Sequence, residues 1–368
     1  MIPLLDLPRM HEPIQEALEA AAAGVLRHGK FIMGPEVSAF EKQLAEICGV
    51  PYAISCASGS DALLIALMAL DLEPGDEVIT TPYSFFSTVS SITRLGLKPV
   101  FVDINSDTFN IETASVEAAI TPRTRVVMPV HLFGQTMDIE SLVALCAPRN
   151  IRVIEDAAQA LGARRNGKMA GTFGEIGCYS FFPSKNIGGF GDGGALVTSD
   201  EHLARRLGIL RLHGAEPKYH HSFVGVNSRM DTMQAALLSV KLPMLEEISK
   251  IRAQNAAFYL ETLQSVGGLT LPMPPEEGSL HVWNQFVIRL EERDRVRAEL
   301  TGAGIGTEIY YPVPLHLQKC FAFLGHGAGD FPHAERTAGM ALAIPVFNGL
   351  RSDERALVAE SIKGFSIH

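Results

Sequence analysis

Residues 51–70 read Pro51-Tyr52-Ala53-Ile54-Ser55-Cys56-Ala57-Ser58-Gly59-Ser60-Asp61-Ala62-Leu63-Leu64-Ile65-Ala66-Leu67-Met68-Ala69-Leu70. The run 51–55 has the short apolar character of a buried strand, and 62–70 that of a buried helix. Between them Gly59 permits a tight turn, which leaves the first amides of the helix pointing outward without partners. A strand feeding a helix in this way is the repeating unit of an α/β protein. Such a helix start binds phosphate well, and it is equally an ordinary N-cap with no ligand. No G-K-[ST] follows, so it is not a Walker loop.

The unit recurs on both sides. Gly34-Pro35 opens a helix over 37–47. Strand-like runs follow at 77–81, 99–104, 126–132, 152–155, 177–182 and 194–198, with a helix over 84–95. Strands spaced by helices imply right-handed crossovers and a mostly parallel central sheet with flanking helices. The texture changes after residue 230. Long helices are expected over 230–245 and 247–266, then a strand at 284–290 and a helix over 293–301. We therefore expect a large α/β domain over 1–245 and a smaller C-terminal α+β domain over 246–368.

Length and composition agree with two domains. The chain has 368 residues, and domains run to roughly 100–200. It is 47% hydrophobic and 20% charged, a globular balance that excludes a wholly disordered chain. With 31 basic and 41 acidic residues the formal charge is −10, which argues against general nucleic-acid binding. No stretch approaches the roughly 20 apolar residues of a membrane span. The start, Met1-Ile2-Pro3-Leu4-Leu5-Asp6, has neither the basic nor the apolar region of a secretory signal. Cys48, Cys56, Cys146, Cys178 and Cys320 are scattered and form no C-x-x-C pair, so reduced thiols in the cytoplasm are expected, with no metal site.

Two further segments sit where parallel sheets place ligands, at strand ends. In Ile154-Glu155-Asp156-Ala157-Ala158-Gln159 a carboxylate ends a buried strand, a costly position unless it is paired. A protonated ring nitrogen would pair it; a helix N-cap is the plain alternative. In Tyr179-Ser180-Phe181-Phe182-Pro183-Ser184-Lys185-Asn186, followed by Gly188-Gly189-Phe190-Gly191-Asp192-Gly193-Gly194, one lysine stands between an apolar strand and a glycine-dense loop. A lysine there loses its proton more easily and can attack a carbonyl; a solvated loop lysine is the alternative. Phosphate cradle, aspartate and lysine, in that order, meet the needs of pyridoxal phosphate (PLP): anion, pyridinium and aldehyde.

At this point the sequence resembles the DegT/StrS-type sugar-nucleotide aminotransferases, PLP enzymes of fold type I. The likeness runs from Ile32-Met33-Gly34-Pro35-Glu36 to Leu342-Ala343-Ile344-Pro345 and includes Asn227-Ser228-Arg229-Met230-Asp231 and Tyr311-Pro312-Val313-Pro314-Leu315-His316. It implies that Lys185 condenses with the cofactor aldehyde and then shuttles a proton. By the same likeness Asp156 pairs with the pyridinium nitrogen, Gln159 lies near the phenolic oxygen, and Gly59, Ser60 and Ser180 hold the phosphate. Phe85 aligns with the aromatic that stacks on the ring, with Phe86 as its rival. Asn227 reaches the phosphate of the neighbouring subunit, giving a homodimer with shared active sites. Arg229 meets an anionic part of the sugar nucleotide or forms an interface salt bridge. Tyr310, Tyr311 and His316 fall among substrate contacts, although many relatives carry His-Tyr where this chain has Tyr310-Tyr311. His131 resembles a family position and reads equally well as structural.

The implied reaction has two halves. L-glutamate leaves its amino group on the cofactor as pyridoxamine phosphate, and a nucleotide-linked keto sugar then takes it. The segment around Lys185 is most similar to enzymes aminating C3 of UDP-2-acetamido-3-keto-hexuronic acids. A dTDP-3-keto-6-deoxyhexose and a 4-keto sugar are the alternatives. The setting implied is cytoplasmic polysaccharide biosynthesis, including lipopolysaccharide O-antigen. A PLP-dependent sugar dehydratase of the same fold would carry histidine in place of Lys185. A catalytically silent PLP-binding regulator is the other contrasting class.

Overall fold

A computed structural model describes residues 1–364. The chain opens with α1 (Leu7–His11), α2 (Gln15–His28) and α3 (Pro35–Cys48). Then come β1 (Tyr52–Cys56), α4 (Gly59–Met68), β2 (Glu77–Thr80), α5 (Ser87–Arg94), β3 (Lys98–Phe101), α6 (Thr113–Ala119), β4 (Thr124–Val127), α7 (Ile139–Cys146) and β5 (Arg152–Asp156). The short β6 (Arg164–Arg165) and β7 (Lys168–Met169) precede β8 (Ile176–Ser180), β9 (Gly194–Thr198) and α8 (Glu201–Leu210).

Seven strands form one sheet in the order β1-β9-β8-β5-β4-β2-β3. The pairs among β8, β5, β4, β2 and β3 are parallel, whereas β9 runs against both β8 and β1. The reversal has a local cause. Residues 181–193 contain no helix to carry the chain across, so the strand returns antiparallel beside its predecessor. Alternate residues feed two cores. Tyr179, Ala195 and Val197 pack with Phe40 and Leu44 of α3, and Cys178 and Leu196 pack with Leu63 of α4 and Leu207 of α8.

The remaining elements are α9 (Thr232–Lys241), α10 (Leu245–Leu263), β10 (Ser279–Leu280), β11 (Phe286–Arg289), α11 (Arg293–Gly302), α12 (Pro332–Met340), β12 (Ala341–Ile344) and α13 (Ser352–Gly364). The helix expected over 230–245 stops at Lys241 and continues as the 3-10 turn Leu242–Met244, because Pro243 lacks an amide proton for the ladder. The strand expected over 126–132 is shorter: β4 ends at Val127, and Leu132 begins another 3-10 turn. Helix α10 straddles two cores. Leu245 and Ile248 pack with the α3 side of the sheet; Ala256, Tyr259 and Leu263 pack with Phe286, Ile288, Leu342 and Ile344. Ile2 and Met10 belong to that second core as well, so packing adds the N-terminal arm to the smaller unit expected at 246–368.

Candidate active site

Strand directions bring the sequence signals to one edge. β1 and β8 both oppose β9, so they run parallel to each other, and β5 is parallel to β8. Their carboxyl ends carry Ser58-Gly59-Ser60, Ser180 and Asp156. β2 joins the same direction through β4, which places Ser84 and Phe85 at that edge too.

These residues line a pocket of about 360 Å³ with Gln159, Lys185, Tyr310 and Tyr311. Ser58 caps α4, its Oγ accepting the Asp61 amide at 3.1 Å. Gly59 is required by close approach: a Cβ there would stand 2.6 Å from Ser180 Cβ. The Ser60 hydroxyl bonds the Ser87 hydroxyl at the start of α5, so two helix N-termini meet at this end of the pocket.

Asp156 is buried. Its Oδ2 accepts the Thr88 hydroxyl at 2.8 Å, and its Oδ1 accepts the Ala158 amide at 3.3 Å. Burial raises its pKa despite these bonds and despite the nearby Lys185 charge. Lys185 is affected in the complementary way. Desolvation lowers its ammonium to about 8, and Asp156 only partly opposes this. Both groups are thus held in an environment that wants a cation beside the carboxylate and a neutral amine at Lys185.

Gln159 is clamped. Its Oε1 accepts the Phe133 amide at 2.7 Å, and its Nε2 donates to the Tyr311 hydroxyl at 3.0 Å. The fully buried Tyr83 hydroxyl donates to the Tyr310 carbonyl at 2.5 Å and accepts the Tyr311 amide at 3.0 Å. Between the two phenylalanines the geometry discriminates. Phe85 lines the pocket, whereas Phe86 stacks on Phe321 with ring centres 5.2 Å apart.

Four residues weighed in the sequence, Asn227, Arg229, His316 and His131, lie outside this pocket. Asn227 is exposed and accepts Arg229 Nη2 at 2.7 Å. His316 is buried elsewhere, its Nε2 3.1 Å from Glu335 Oε1 and its ring edge-on to Phe331, so it cannot touch a ligand in the pocket. His131 proves structural. Its Nδ1 accepts the Met137 amide, which leaves Nε2 to donate to the buried Glu155 at 2.8 Å. Trp283 packs in the smaller core. Residues not singled out in the sequence also line the pocket: Thr88, Ser87, Ser184, Asp192 and Gln285. Thr88 had a signal, since it follows Ser84 by one helical turn at a strand-to-helix junction. Gln285 had none.

An anion cradle at helix N-termini, a buried carboxylate and a lysine of lowered pKa fit the phosphate, ring nitrogen and aldehyde of one cofactor, PLP. The fold and these residues define a fold type I PLP enzyme. The DegT/DnrJ/EryC1/StrS aminotransferase family model matches residues 12–363, and the chain belongs to that family. It is a PLP-dependent sugar aminotransferase.

A Geobacillus stearothermophilus protein named pleiotropic regulatory protein is 45% identical, covering 100% of this chain and 99% of its own. The UDP-N-acetyl-3-dehydro-alpha-D-glucosamine 3-aminotransferase of Acidithiobacillus ferrooxidans is 43% identical over 98% of this chain and 97% of its own. The UDP-2-acetamido-2-deoxy-3-oxo-D-glucuronate aminotransferase of Pseudomonas aeruginosa is 42% identical over 94% and 95%. Among solved structures, Streptomyces venezuelae DesV superposes with a TM-score of 0.96 at 39% identity, over 98% of this chain and 97% of its own. Bacillus subtilis NtdA, solved with pyridoxamine phosphate, gives 0.91 at 34% identity over 98% and 84%. Among the described residues no cluster of His, Cys, Asp or Glu could hold a metal ion, and no helix is long and apolar enough to cross a membrane.

Proposed function

We propose that this aminotransferase moves an amino group from L-glutamate to C3 of a UDP-linked 2-acetamido-3-keto-hexuronic acid. The observation that carries the acceptor is the likeness, over nearly the whole chain, to two proteins whose names specify UDP-linked sugars oxidised at C3. When bound, PLP supplies an electron sink and a carrier for the amino group. The chain's residues do the rest. Gly59, Ser60 and Ser180 would hold the phosphate, Asp156 would keep the ring nitrogen protonated, and Phe85 would contact the ring. Lys185 Nζ takes and returns the proton in both halves, and a pKa near 8 leaves it usable as acid and as base.

On this reading the enzyme is a cytoplasmic homodimer with shared sites. Asn227 and Arg229 stand at the surface, outside their own chain's pocket, as residues offered to a partner would. The chain divides near residue 245, the N-terminal arm sitting on the smaller unit. Arg229 supports the uronate over the neutral sugar, since a guanidinium matches a carboxylate.

The test offers the amino-loaded enzyme a panel of nucleotide-linked 3-keto and 4-keto sugars and follows the cofactor spectrum. The UDP-linked 3-keto-uronate is the expected acceptor. Preference for a dTDP-linked or 4-keto sugar would replace it with the alternatives above. Arg229→Ala is expected to weaken the acidic sugar more than its neutral analogue, and equal losses would remove the uronate argument. A spectrum unmoved by glutamate would mean another amino donor.

A further inference from the structure

Arg252, in the middle of α10, is 1% exposed. Its Nη1 donates to the Trp283 carbonyl at 3.0 Å and the Asn284 carbonyl at 3.3 Å. Among the described residues its Nε is buried without a partner, and Nη2 makes no hydrogen bond. Among the described residues no carboxylate forms an ion pair with it, and burial alone brings its pKa down to about 10, so it stays cationic at neutral pH. A buried cation without a counter-ion is among the costlier arrangements in a protein interior.

Arg252 forms part of the wall of a cavity of about 40 Å³. A water needs roughly 10–15 Å³ of such space, so the cavity admits a few waters or one small anionic head group. Leu5, Val346 and Phe347 supply apolar walls. Ser184, Gln285 and Tyr310 line both this cavity and the pocket that holds Lys185, so the two adjoin.

We propose that Arg252 is the floor of a small-anion site, behind the pocket, that takes one carboxylate or halide. Two sources present that chemistry: a carboxylate of the amino donor or its keto acid, and a free inorganic anion. The site is independent of which sugar is aminated, and its test does not require turnover.

Trp283 is the one tryptophan of the chain, it is 3% exposed, and Arg252 bonds its carbonyl. The holoenzyme is titrated with sodium bromide at constant ionic strength while Trp283 emission is followed. Occupancy beside Arg252 gives quenching that saturates, is relieved by acetate and is lost in Arg252→Met. Relief by 2-oxoglutarate as well as acetate assigns the site to the donor's carboxylate; relief by acetate alone assigns it to a free anion. Quenching that rises in proportion to bromide, is unrelieved by acetate and is unchanged in the variant overturns the proposal. Should the methionine variant fail to fold, displacement of bromide by acetate in the wild-type enzyme decides alone.

Discussion

The Thr88 hydroxyl donates to Asp156 Oδ2 across 2.8 Å, joining the start of one helix to the end of a strand 68 residues away. It is the shorter of two hydrogen bonds that support a carboxylate whose burial opposes its charge. Hydrogen bonds to charged groups contribute about 1.5–3 kcal/mol, or roughly 10- to 100-fold in an equilibrium or rate. Thr88→Val is therefore expected to slow the glutamate half-reaction at least about tenfold, with Thr88→Ser restoring it. Stopped-flow absorbance of the bound cofactor measures both. A valine variant of wild-type rate would assign Thr88 to packing only.

Lys185 gives a pH prediction with a definite sign. Desolvation favours its uncharged form and lowers the pKa from 10.5 to about 8. Capture of PLP by the apoenzyme requires the neutral amine. Its rate should climb about tenfold per pH unit below that value and level off above it. Lys185→Arg should abolish both capture and the peptide label left by borohydride reduction. A label on any other lysine in the wild-type enzyme would contradict the assignment.

Tyr83 is expected to act by positioning. It does not line the pocket, yet its hydroxyl grips the carbonyl of Tyr310 and the amide of Tyr311. Tyr83→Phe removes one oxygen and keeps the ring's packing, leaving the Tyr311 amide without its acceptor. A cost of about 1–3 kcal/mol follows for the ordered tyrosine pair. The expected signature is a raised KM for the keto sugar with the glutamate half-reaction unchanged. Equal damage to both halves would mean a general loss of stability instead.

Much of the large unit was legible because its sequence is locally consistent. The apolar runs at β5 and β8 end at Asp156 and Ser180, β1 leads into Ser58-Gly59-Ser60, and these strand ends that carry chemistry are the ones that meet. What escaped was long-range. Nothing in the residues around His316 shows that its ring turns into the cluster with Phe101 and Phe331 and away from the pocket. Gln285 reaches the pocket only through tertiary placement, and Phe85 separates from Phe86 only once Phe321 claims the latter. Helices α1, α2, α6, α7, α8, α12 and α13 lie outside the helical runs read from the sequence.

The arm that carries Ile2 and Met10 has a consequence for biogenesis. Ile2 bridges to Ile305, across some three hundred positions of chain, and both side chains share a core with Leu342 and Val358. The apolar neighbours of Ile2 therefore lie far away in the chain, and this core closes only by a long-range contact. Loop closure over that distance is slow, so the smaller unit is expected to consolidate late in folding, and removing residues 1–10 should loosen the region around Leu342 and Val358.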